Sequence, residues 1–237
     1  MYADFISIAD LSADELLELL ELADELKRKA KAGENHRPLA GRPLYAYILE
    51  TLLSCTEVDR VAVDTDSPVI RKGVEVSFPE IVLLDRPERL RGGNVPMNEV
   101  LAYDVSQVPS AFYLQTHSTN PLLKPATISR AIARFFAEYP EHDSLFSVTP
   151  LQARLWDAEA KPINHDPAVL LNTQDLPTMF VENSCLYLFE QERFVGSGNR
   201  MGERPLMFEI GPEEALDIDS ESDFRVVESV IKMHGPL

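Results

Sequence analysis

Apolar positions along the chain recur with two different periods. In LSADELLELLELADELKRKAKAG, Leu16, Leu19, Leu20 and Ala23 fall three and four residues apart and define one helical face. Ser12 is placed as N-cap with Glu15 three residues on, Leu11 and Leu16 make a hydrophobic staple, and Gly33 stops the helix. Acids crowd its first turns and Lys27 to Lys31 its last, as the macrodipole favours. Beyond this helix the pattern changes. RVAVDTD (60–66) and EIVLLDR (80–86) are short apolar runs between polar turns, predicted as buried strands; a helix begins near Pro96, and AFYLQT (111–116) is a further strand. Pro125 opens a helix carrying Ile128, Ala131, Ile132, Phe135 and Phe136 on one stripe, and SLFSVT follows as a strand. Between residues 152 and 200 the period is less regular, with CLYLF the one apolar strand among polar turns, so this stretch reads as an excursion from the sheet. PLMFEI as a strand and SESDFRVVESVIKMHG as a helix, with Phe224, Val227, Val230 and Ile231 inward and Gly235 ending it, close the chain. Strand and helix in alternation imply an α/β fold with a largely parallel sheet. The expected organisation is a helical segment over 1–34 and an α/β domain over 35–237, with the excursion at about 152–200.

Composition narrows the function classes. With 22 basic and 39 acidic residues the net charge is −17, which argues against a nucleic-acid partner because phosphate-backbone binders cluster Lys and Arg. An anionic small substrate needs a local cation to offset the repulsion. Cys55 and Cys185 lie far apart, without the spacing of a zinc site or a disulfide framework, which fits a reducing cytoplasm. No uncharged apolar run is long enough to span a membrane, and the start of the chain lacks the basic region of a secretory signal. The expectation is a soluble cytoplasmic protein.

The densest chemistry is in EALDIDSESDF. In an extended segment Asp217 and Asp219 project to one side while Leu216 and Ile218 face the core, so two carboxylates could converge on a magnesium ion, which accepts one or two carboxylates and keeps positions for waters and phosphates. Equally, Asp219 or Ser220 could cap the last helix, with Asp223 as the matching acid of its first turn. From the residues alone both readings stand. Ligands of open α/β sheets bind beyond the carboxyl ends of strands. There the chain offers six consecutive polar residues from Gln115 to Asn120, including His117, and Arg86, Arg89 and Arg91 in DRPERLRGGN. GSGNRMG lacks both the spacing and the strand-turn-helix setting of a dinucleotide fingerprint.

RPLAGRPLYAYILETLLSCTEVDRVAVDTDSPVI, RPERLRGGNVPMNEV, YLQTHSTNPLLKPATI, LNTQDLPTMFVENSCLYLF and ALDIDSESDF together resemble the acylneuraminate cytidylyltransferases, which activate sialic and related ulosonic acids as CMP sugars. The resemblance runs from about residue 37 onward. It implies a three-layer, mostly parallel Rossmann-like sheet of the nucleotide-diphospho-sugar transferase type, CTP and an acidic sugar as substrates, Mg2+ as cofactor and a homodimer. It also implies site residues: Asp217 and Asp219 as the catalytic, metal-binding pair; Gln115, Thr116, Thr119, Gln174, Asn183 and Tyr187 toward the sugar; Asn35 and Arg86 toward the nucleotide. Ser184 stands where that family has glycine, and Gly93 where an aspartate is common. The family's opening Pro-Ala-Arg-Gly-Gly-Ser-Lys type of loop is absent, and Glu34 stands where its lysine belongs. Two implications therefore remain: a CMP transferase, or a catalytically inert protein of the same fold that binds a sugar acid or serves assembly. Residues 1–41 resemble instead the amino-terminal helix of ornithine and aspartate carbamoyltransferases, but the Ser-Thr-Arg-Thr-Arg motif that should follow does not, so carbamoyl transfer is not implied.

Overall fold

The computed structural model describes residues 38–169 and 171–234. The helix and staple expected at the amino terminus, and Asn35, lie outside these residues. Six helices and six strands follow in the order α1 (Leu44–Leu53), β1 (Ala62–Thr65), α2 (Pro68–Ser77), β2 (Val82–Asp85), α3 (Met97–Gln107), β3 (Phe112–Thr116), α4 (Pro125–Glu138), β4 (Ser144–Leu151), β5 (Met179–Glu190), α5 (Gln191–Ser197), β6 (Pro205–Glu209) and α6 (Glu221–His234).

Helix starts obey local chemistry. Pro43 and Pro96 precede α1 and α3, Pro68 and Pro125 open α2 and α4, and Ser67 caps α2 by accepting from the Ile70 N–H at 3.4 Å. Helix α5 stops at Gly198, whose φ of 69° is the left-handed conformation that glycine adopts without penalty. The periodicity of the sequence does not reveal α1. Ala46, Tyr47, Ile48, Leu49 and Thr51 are all buried, so the helix has no polar face to mark its period. Its residues join three packing clusters: Ile48 shares one with Leu123, Phe135 and Leu145; Tyr47 shares another with Leu39, Phe224 and Val227; Ala46 and Leu49 share the third with Val61, Val74 and Ile81.

Strands β1 and β2 pair in parallel, and a second sheet has the order β3-β5-β4-β6. Strand β6 runs parallel to β4, whereas β5 runs antiparallel to both β3 and β4. Within this sheet β3, β4 and β6 therefore share one direction, and the reversed strand is the one from the irregular excursion. Strand β5 is also longer than CLYLF, reaching back to Met179, and its first half pairs with the end of β4 beyond a register shift between Phe146 and Val148. The inner stripe of α4 is buried at Ile128, Ala131, Ile132 and Phe135. Phe136, expected on that stripe, is instead 47% exposed and packs edge-on to Phe112, because the sheet it covers ends at β3.

The turn between α5 and β6 is anchored by Asp143. Its carboxylate is buried and accepts the N–H groups of Glu203 at 3.1 Å and Arg204 at 3.0 Å, while the neighbouring Ser144 hydroxyl accepts the Gly202 N–H at 2.8 Å. A Cβ on Gly202 would lie 2.1 Å from an Asp143 carboxylate oxygen that these bonds hold in place. Gly202→Ala is expected to destabilise the protein by about 1–3 kcal/mol through this overpacking, read from the midpoint of urea unfolding.

Candidate functional site

After β6 the chain returns across the carboxyl end of β3. The Ile218 N–H donates to the Thr119 carbonyl at 3.0 Å, and the buried Asn120 donates from Nδ2 to the Leu216 carbonyl at 3.4 Å. Leu216 and Ile218 pack against the cluster of Leu39, Tyr47 and Phe224, as their alternation with the acids predicts. Asp217, between them, is half-buried beside the polar loop. Its Oδ1 is buried without a hydrogen-bond partner, and its charge acts on both His117 and Cys185. Asp219 is exposed.

The capping role falls to other residues. Ser220 Oγ accepts from the Asp223 N–H at 3.3 Å, and Asp223 Oδ2 accepts from the Ser220 N–H at 2.8 Å, a reciprocal box at the start of α6. Hydrogen bonding to Ser220 holds the Asp223 carboxyl below its usual range. The carboxylates of Asp217 and Asp219 take no part in the cap. Asp217 and Asp219 are hard oxygen donors, and the unpartnered Asp217 oxygen fits a cation that would satisfy it. Among the described residues no group of three or more His, Cys, Asp or Glu gathers as a metal cage, which is compatible with magnesium held by one or two carboxylates and completed by water and phosphate.

On the sheet, register makes Gln115 of β3 and Tyr187 of β5 cross-strand partners. Arg200 lies over this pair: its guanidinium carbon is 3.5 Å from the Tyr187 ring centroid, and Nη1 donates to Gln115 Oε1 at 2.7 Å. The Gln115 amide nitrogen lies 3.1 Å from His117 Nε2. Since an amide nitrogen only donates, His117 Nε2 accepts and the ring proton belongs on Nδ1. Burial, then the Arg200 charge, lower the His117 pKa against an opposing pull from Asp217, so the imidazole is neutral near pH 7. The Tyr187 hydroxyl donates to Glu182, and its oxygen lies 3.2 Å from Ser184 Oγ; burial first, then the Glu182 bond, raise its pKa. The Cys185 thiol is pushed up to about 12 by burial, then by Asp217 and Glu214, which removes it as a nucleophile at neutral pH.

The structure thus brings Gln115, His117, Tyr187 and Asp217 into one neighbourhood and adds Arg200, which sequence reasoning missed because it is a lone arginine in a glycine-rich loop without periodicity. Thr116 and Thr119 flank the same loop, half-buried. Asn183 is tied within the protein: Oδ1 accepts from Ser147 Oγ and from the Cys185 N–H at 3.3 Å, and Nδ2 donates to Thr149 Oγ1 at 2.9 Å, so it holds β5 to β4 at the register shift. Gln174 is exposed on a single helical turn, Thr173–Asp175, and no hydrogen bond among the described residues joins it to the cluster.

A second polar group sits beyond β1 and β2. Arg86 donates from Nε to Asp64 Oδ2 at 2.9 Å and from Nη2 to the Asp64 carbonyl at 3.2 Å. The Asp64 side chain is 5% exposed. Asp104 of α3 faces Asp64, and each carboxyl keeps a buried Oδ1 with no partner. A proton shared between them satisfies both: burial, then the charge and hydrogen bond of Asp64, raise the Asp104 pKa from 3.8 to about 7, against the pull of Arg86.

The solved structure of a CMP:2-keto-3-deoxy-manno-octonic acid synthetase complexed with CTP superposes with a TM-score of 0.60 at 12% identity, covering 85% of this chain and 92% of that one, which establishes the Rossmann-like α/β fold. The cytidylyltransferase family profile matches residues 32–215, and the chain belongs to that family. N-acylneuraminate cytidylyltransferase A of Danio rerio is 24% identical over 209 residues, 85% of this chain and 48% of that protein. The chain spans about half the length of the acylneuraminate relatives it matches. Ornithine carbamoyltransferase of Geobacillus stearothermophilus is 46% identical over 41 residues, 17% of this chain and 13% of that enzyme, a short partial match.

Two outcomes test the local chemistry. Because the folded-state pKa of Asp104 lies above its unfolded value, the protonated pair stabilises the protein at acid pH and the contribution is lost as pH rises through about 7. Asp104→Asn, which still donates to Asp64, is expected to be more stable than the parent at pH 8 by on the order of 2 kcal/mol, and no more stable at pH 4, as measured by thermal unfolding. Ser184 has a φ of 58°, the left-handed region in which a Cβ is strained and for which the family's glycine is suited. Ser184→Gly is expected to raise stability by about 0.5–1 kcal/mol in denaturant titration, with Glu182 still accepting the Tyr187 hydroxyl.

Proposed function

We propose that this cytidylyltransferase moves CMP from CTP to an acidic sugar of the sialic or ulosonic class, and that magnesium held by Asp217 and Asp219 is its cofactor. The observation that most supports it is the buried, unpartnered Asp217 oxygen beside the Gln115 to Asn120 loop, in a chain of net charge −17 that needs a cation to admit a triphosphate. The anomeric hydroxyl of the sugar attacks the α-phosphorus. A new C–O–P link forms, the bond to the bridging oxygen breaks, pyrophosphate leaves, and the hydroxyl proton goes to solvent or a base. When bound, magnesium supplies neutralisation of the phosphate charge.

The chain's own residues do the positioning. Arg200 and His117 fix both ends of the Gln115 amide, so its orientation is set before a sugar arrives. Arg86, held by Asp64, lies on the proposed nucleotide side. A homodimer is part of the proposal: Trp156, Ile163, Val169, Leu171, Phe180 and Val181 are exposed along the excursion and the β5 arm, and their apolar surface suits a second copy of the chain. The free, buried cysteines Cys55 and Cys185 suit a cytoplasmic setting.

Pyrophosphate release with CTP, magnesium and a panel of sialic and ulosonic acids is expected, with kcat/KM reduced ~100-fold or more in Asp217→Asn. Release that is independent of magnesium overturns the cofactor assignment to Asp217 and Asp219, and no release across the panel overturns the transferase. Thermal stabilisation by a sugar acid but not by CTP identifies the inert sugar-binding protein instead.

A further inference from the structure

Among the described residues Arg200 is a half-buried cation without a counter-ion. Its guanidinium has five N–H donors, of which the structure engages Nη1, with the neutral Gln115 Oε1. One face rests on the Tyr187 ring. Among the described residues Arg200 forms no ion pair, whereas Arg86, Arg193 and Arg225 each have a carboxylate in contact. Glu182 exerts a weaker pull on it and is itself committed to the Tyr187 hydroxyl.

The position of Arg200 is built rather than incidental. Its backbone N–H donates to Asn98 Oδ1 at 3.3 Å, Asn98 Nδ2 donates to Asn199 Oδ1 at 3.1 Å, and the Met201 N–H donates to the same Asn199 oxygen at 3.1 Å. The start of α3 thus clamps the loop that carries the arginine. Burial lowers the pKa of the guanidinium, yet this group does not deprotonate in proteins. A charge held away from water without an anion is costly, and a protein with 39 acidic residues places none of its described ones in contact with it.

We infer that Arg200 is the residue through which the site reads the carboxylate of the sugar acid, and that it selects acidic over neutral acceptors. The inference rests on the CMP-transfer proposal for the identity of the acceptor. With the guanidinium carbon 3.5 Å from the Tyr187 ring centroid and Nη1 on Gln115, Nε and Nη2 have no hydrogen-bond partner among the described residues, and that planar fork of N–H groups matches a carboxylate in two parallel hydrogen bonds. The same edge would suit a phosphate oxygen of the nucleotide, and binding measurements separate the two sources.

The full chain is titrated by calorimetry, without turnover, with N-acetylneuraminic acid, 3-deoxy-octulosonic acid, the methyl ester of each, and CTP. The parent is expected to bind an acid about tenfold tighter than its ester, a ratio that charge-assisted hydrogen bonds account for. Arg200→Met is expected to abolish that preference by weakening the acid about tenfold more than the ester, which loses only what the released Gln115 amide contributed, and to leave CTP unchanged. Arg200→Lys, which keeps the charge without the fork, falls between, and stands in should Arg200→Met not fold. A preference that survives substitution, an equal loss for acid and ester, a loss confined to CTP, or failure of both acids to bind the parent overturns the inference. Since binding is read directly, absence of pyrophosphate release would defeat the transferase proposal while leaving the role of Arg200 measurable.

Discussion

The site depends on the stitch between two segments far apart in sequence: the Ile218 N–H on the Thr119 carbonyl, with Asn120 on the Leu216 carbonyl beside it. Without these bonds the strand end that carries Gln115 and the segment that carries Asp217 would each be a solvated loop. With them, Leu216 and Ile218 are drawn into the cluster of Tyr47 and Phe224, and the intervening aspartate is turned toward His117 and Cys185. The buried amide of Asn120 makes the stitch stiff, since a buried donor that loses its acceptor costs about 1–3 kcal/mol.

Helix α3 connects this site to the group beyond β1 and β2. Asn98 at its start holds the Arg200 loop, and Asp104 shares a proton with Asp64, the partner of Arg86. Six residues at 1.5 Å each separate Asn98 from Asp104, about 9 Å along the axis, so one rigid element holds both arginines in register. The two cations differ in kind. Arg86 is neutralised by Asp64 and shaped by it; among the described residues Arg200 meets a neutral amide and an aromatic face and no carboxylate.

Much of this was legible in the sequence because local rules decided it. Pro96 and Pro125 marked the starts of α3 and α4, short apolar runs marked β1 to β4 and β6, and the pairing of acids with apolar neighbours in LDID predicted which side chains face the core. The capping ambiguity resolved onto Ser220 and Asp223, whose spacing had signalled a reciprocal box. Helix α1 was hidden because it is buried nearly all round, and a helix without a polar face has no period to detect. The exposure of Phe136 likewise follows from where the sheet ends, which no stripe on its own helix reports.

By itself, the amino-acid order determined the α/β alternation, the family likeness, and the candidate residues Gln115, Tyr187 and Asp217, because these rest on contacts within a few residues or on motif spacing. Tertiary structure alone decided that β5 runs backwards between β3 and β4, that its register sets Tyr187 opposite Gln115, and that Arg200 closes over both. The reason is physical: strand direction and the desolvation of a charge are properties of neighbours brought together from distant positions, and neither has a signature at the residue where it is felt.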